Sequence, residues 1–178
     1  MKHFLLSSIA ILFLSNSLFA QEAHFPIIKG FGGIYEVSNA LLPNTNSEYK
    51  IIVDLKTPQQ DISGLNSGLN NVARMMNLHG LGGVKPENLK VAINIHGKAA
   101  SVILNNASYK KRYGVDNPNI ELISTLKKAG VEVYVCGQTL VSHKYEDSEV
   151  NSDVKFALST LTMFTTYMQN GYLPLVFD

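Results

Sequence analysis

The chain is short of the features by which many functions are recognised. It has one cysteine, Cys136, in 178 residues. An internal disulfide framework and a thioredoxin-type Cys-x-x-Cys couple are therefore excluded. Neither charge is in excess: 15 Lys and Arg stand against 14 Asp and Glu, and no basic run occurs. Such balance argues against a surface built for polyanions, so no nucleic acid partner is expected. The five histidines are scattered, with no pair at ligand spacing. Neither glycine cluster ends in Gly-Lys-Ser/Thr, and Gly30-Phe31-Gly32-Gly33 precedes no helix. No metal and no cofactor is expected.

What is present begins at the amino terminus. Met1-Lys2-His3 is a short basic start, and Phe4 to Leu14 is almost wholly apolar. Ser15-Asn16-Ser17 restores polarity before the small Ala20 and the polar Gln21-Glu22. This order reads as a secretory signal peptide over residues 1–20, cleaved after Ala20. Its apolar core is shorter than the roughly 20 residues that span a bilayer, and no later stretch is long enough, so no stable membrane anchor is expected. No cysteine follows the apolar core, which excludes a lipoprotein anchor. The expected location is exported, in the periplasm. Without Lys2 the remainder is balanced at 14 basic against 14 acidic residues. In an exported chain, an unpaired thiol is either buried and inert or kept for its chemistry.

Residues 21–48 read as an irregular lead-in between breaker clusters, with one short strand over 34–37. Residues 49–178 read as one α/β domain. The β-branched run 50–55 predicts a first strand, ending near the polar Asp54. Ser63 is the expected cap of a helix carrying Leu65, Leu69, Val72 and Met76 at helical spacing. Leu89 to Ile95 predicts a second strand, followed by short helical pieces over 99–104 and 107–113. Asn117 as cap, Pro118 at the first helical position, Glu121 early and Lys127-Lys128 late predict a helix whose charges suit its dipole. Val131 to Val135 predicts a third strand. Ser152 or Asp153 is the expected cap of a last long helix ending at Gly171, before a final strand over 172–177. Helices alternating with apolar strands predict a parallel sheet of four to five strands, with helices on both faces.

Ligands of such sheets bind beyond the carboxyl ends of the strands. There the second strand delivers His96-Gly97, and the third delivers Cys136-Gly137-Gln138-Thr139. A helix starting after Cys136 would favour its thiolate through free amides, and Gly137 would leave the backbone open to a substrate. An inert, buried Cys136 is the alternative at this point, and spacing alone favours a His96 that only satisfies loop carbonyls. Tyr109-Lys110-Lys111-Arg112-Tyr113 is either a solvated face or, beside the strand ends, a subunit contact or an anion site with Lys111 and Arg112 drawing in an anionic donor. Met163, Phe164, Tyr167 and Met168 exceed what one buried helix face needs, which points to an oligomer interface.

Three stretches taken together resemble one family. They are Val91 to Gly97, Tyr109 to Asn119, and Lys128 to Gln138 with its Val-Cys-Gly-Gln segment; Asn170-Gly171-Tyr172 before the last strand fits as well. The sequence resembles the DsrE/DsrF-like sulfur-relay proteins, particularly exported members, over residues 49–177. The resemblance implies a flavodoxin-like fold assembled as a homotrimer or homohexamer. It also implies a cysteine, here Cys136, able to carry sulfur as a persulfide, with an unknown sulfur donor and acceptor. Relay members act in the cytoplasm, whereas this chain carries an export signal. The alternatives to a sulfurtransferase or carrier are a non-enzymatic small-ligand binding or assembly module and a thiol redox sensor.

Overall fold

The computed structural model describes residues 21–177; the leader expected over 1–20 lies outside them. Five strands form one parallel sheet: β1 (Tyr49–Leu55), β2 (Leu89–Ile95), β3 (Glu132–Cys136), β4 (Lys155–Ala157) and β5 (Leu173–Phe177). Their order across the sheet is β4-β3-β2-β1-β5. The helices are α1 (Ser67–Leu81), α2 (Asn106–Tyr113), α3 (Ile120–Lys128), α4 (Gly137–His143) and α5 (Thr160–Gln169). A tight 3-10 segment over Gly97–Ile103 follows β2. No helix among the described residues is long and apolar enough to cross a membrane.

Side chains alternate between the two faces of a strand, and this divides the core. Ile51, Val53, Leu55, Val91, Ile93, Ile95, Val133 and Val135 pack with residues of α1, α3 and α4 in the larger core. Ile52, Ala92 and Tyr134 point the other way and meet Met163, Phe164 and Tyr167 of α5. Because each strand through β4 is added on the same side of its predecessor, the return to β5 at the far edge carries α5 over that second face. Pro174 fits in β5 because this strand is an edge.

Several boundaries differ from the sequence expectation. The stretch at 34–37 forms only a single antiparallel bridge between His24 and Ile34. Asn66, not Ser63, caps α1: its side chain accepts from the Leu69 amide, leaving Leu65 outside the helix. Asn117 and Pro118 precede α3 rather than begin it. The Asn117 side chain is buried, donating to the carbonyls of Val102 and Leu104 and accepting from the Asn119 amide. The largest difference lies after residue 152. In place of one long helix, Lys155–Ala157 forms β4, and α5 starts later under the cap of Ser159. Three residues are too few for a period of two to be visible, and the apolar spacing from Val154 onward passes for helical. Pairing of Lys155, Phe156 and Ala157 with Tyr134, Val135 and Cys136 makes it a strand.

Candidate functional site

Cys136 is the last residue of β3 and the residue that caps α4. Alternation from Val135 turns its side chain to the α5 face. There the amide of Thr160, the first residue of α5, donates to Sγ at 3.4 Å. The thiol therefore sits where two helices begin, one following it in the chain and one returning over the sheet. Helix starts present free amides and positive dipole ends, so an anion is favoured at that point.

Opposing effects set the acidity of Cys136. Burial is the largest and disfavours the thiolate; the side chains and amides of Thr160 and Thr139 act against it and together prevail. The thiol is thereby held below the ordinary cysteine value. The Thr160 hydroxyl is committed elsewhere, donating to Asn94 Oδ1 at 2.9 Å. The Thr160 amide and Thr139 are the donors that remain free to face the sulfur. The Thr139 hydroxyl is oriented for donation, because its Oγ1 accepts from the Gly97 amide at 3.3 Å and its own proton is left free. Gly97 has φ +56°, in the left-handed region that favours glycine, with open space beside its Cα.

Gly137 lies against the chain that leaves β4. A Cβ there would lie 3.0 Å from the Ala157 carbonyl oxygen and 3.4 Å from that of Leu158. The glycine admits the close approach of the chain leaving β4. Gln138 reinforces the contact, its Nε2 donating to the Leu158 carbonyl at 3.4 Å.

His96 stands one residue past Ile95, and Cys136 one past Val135, the residue paired with Ile95. The two thus occupy adjacent positions on neighbouring strands. The His96 ring turns toward β1, where Nε2 meets Asp54 Oδ1 at 2.5 Å. Asp54, His96, Asn94 and Cys136 consequently share one face at the carboxyl ends of three central strands. Lys111 and Arg112 are not brought to this group. Arg112 pairs with Glu149 at 2.7 Å and covers the Tyr145 ring at 4.7 Å. Tyr145 lies beyond the carboxyl end of α4, a helix length away from Cys136. Lys111 is exposed on α2.

Asp54, Asn94 and Thr160 were missed by site reasoning from sequence. Asp54 and Asn94 had a signal, as the polar residues within two apolar strands. Thr160 had none, because its place depends on β4. No cluster of three or more metal-ligating side chains occurs among the described residues.

The sequence profile of the DsrE/DsrF-like family matches residues 49–177, from the start of β1 to the end of β5. The chain belongs to the DsrE/DsrF-like family. A solved protein of unknown function from Methanobacterium thermoautotrophicum has the same fold, with a TM-score of 0.54 at 15% sequence identity. That likeness covers 72% of this chain and 98% of the other. No curated protein matches the sequence. In this DsrE/DsrF-like chain the matched region begins after the lead-in, and residues of the lead-in pack against α1. Asn77 of that helix binds the lead-in backbone, accepting from the amides of Ile27 and Ile28 and donating to the carbonyls of Phe31 and Gly32.

Proposed function

We propose that this DsrE/DsrF-like chain is an exported sulfur carrier in which Cys136 holds a sulfane sulfur as a persulfide. The observation that carries the reading is the place of the thiol at the meeting of two helix starts, with the Thr160 amide donating to Sγ. With thiosulfate as donor, the Cys136 thiolate attacks the outer sulfur. A sulfur–sulfur bond to Sγ forms, the bond to sulfite breaks, and sulfite leaves with the electron pair. The persulfide anion that remains is stabilised by the same amides. An acceptor thiolate then attacks the outer sulfur, and the Cys136 thiolate is regenerated with no net oxidation. His96, oriented by Asp54, is the nearby group able to deliver or remove a proton. The leader expected over residues 1–20 supports action in the periplasm.

Cys136 is only 5% exposed. That favours a small inorganic donor and disfavours the intersubunit disulfide of a thiol sensor, which needs a second sulfur at bonding distance. A non-enzymatic assembly module is the second reading, favoured by the apolar surface of α5 and β5. Intact-mass measurement after incubation with thiosulfate or polysulfide separates the readings. A gain of one sulfur, reversed by reductant and abolished in Cys136→Ser, supports the carrier. A folded protein without an adduct supports the module, and a sulfenic acid under mild peroxide supports the sensor.

A further inference from the structure

Asn94 is a fully buried amide in a strand that is otherwise apolar from Val91 to Ile95. A buried amide stabilises a fold only when its polar atoms are satisfied, so its partners show what it is for. Both partners belong to the first turn of α5. Oδ1 accepts from Thr160 Oγ1 at 2.9 Å, and Nδ2 donates to Met163 Sδ at 2.9 Å. One side chain of the sheet thus grips α5 at two points, and the gripped Thr160 is the residue whose amide meets Cys136 Sγ.

We propose that Asn94 is a positioning residue for the Cys136 thiolate, holding the start of α5 so that the Thr160 amide stays on the sulfur. The proposal deepens the sulfur-carrier reading, on which its functional meaning rests. It explains why an amide occupies a position where an aliphatic side chain would pack without desolvation. It also gives the Thr160 hydroxyl a purpose, as the link between the grip and the donor.

The test is the acidity of the thiol, followed as the pH dependence of iodoacetamide alkylation without any sulfur donor. Losing one hydrogen bond to the anion moves the titration midpoint up by about one pH unit, or about tenfold less thiolate at a pH well below it. Asn94→Leu and Thr160→Val should each produce that rise, whereas Thr160→Ser, which keeps the hydroxyl, should retain the parent midpoint. Thr160 is only partly buried, so Thr160→Val provides the test where Asn94→Leu does not fold. Unchanged midpoints in folded Asn94→Leu or Thr160→Val overturn the proposal. Because no sulfur donor enters the assay, that failure is distinct from a failure of Cys136 to accept sulfur.

Discussion

At the scale of single residues, the chemistry depends on close contacts around one sulfur. Gly137→Ala would gain some helix propensity at the start of α4. It would also press a methyl group onto the carbonyls of Ala157 and Leu158, which are backbone atoms and yield poorly. We expect a net loss of about 1 to 3 kcal/mol, read as a lower denaturation midpoint; an unchanged midpoint would show that β4 moves freely. Glu132 supplies a pH dependence of its own. The hydrogen bond from Lys155 is the main influence, opposed by burial and aided by Tyr134 and Tyr167, and it holds the carboxyl below the ordinary glutamate value. A folded value below the unfolded one adds stability at higher pH, which is lost as pH falls through the folded value. Acid unfolding of Glu132→Gln should therefore be less steep there than in the parent, whereas coincident curves would show no linkage. Much of this scale was legible in the sequence. Cys136 stood out as a lone thiol at a strand end, and His96 as the residue ending the neighbouring strand. The Asp54 contact was hidden because it joins residues 42 positions apart through a register visible only in the folded sheet.

At the scale of elements, the sequence was clearest where local signals agree. β2 has the expected bounds, and β1, β3 and β5 differ from expectation by a residue. Helix starts were harder to read, because capping depends on which nearby Asn or Ser finds a partner. Asn66 prevails over Ser63 through several contacts. Its side chain accepts from Leu69 N and donates to Thr57 O, and its own amide donates to Asn119 Oδ1. Asn66→Ala removes a buried cap, and we expect a loss of about 2 kcal/mol in chemical denaturation; a loss within a few tenths would assign α1 another cap. β4 was illegible for a physical reason. Its three residues become a strand through pairing with β3, which no local propensity encodes. The same pairing fixes where α5 begins, and so whether a second helix start reaches Cys136.

At the scale of the whole molecule, one surface stands apart. From Ser159 to Phe177 the chain contains no charged residue, yet Leu161, Met168, Leu173 and Val176 are exposed there. An apolar surface without charge is poorly suited to permanent contact with water. It extends from the α5 start beside Cys136 to the open edge at β5. Self-association as a trimer or hexamer would cover it. Leu161, 79% exposed, can be replaced without disturbing the core. Light scattering should find the parent chain as an oligomer and Leu161→Glu shifted toward monomer; equal masses would remove α5 from the contact. Sulfur transfer is the central claim, and its most direct measurement is the intact mass of the protein after exposure to thiosulfate or polysulfide. We predict one added sulfur on Cys136, released by reductant and absent from Cys136→Ser. A folded parent protein that gains no sulfur, or that gains it equally in Cys136→Ser, would contradict that claim.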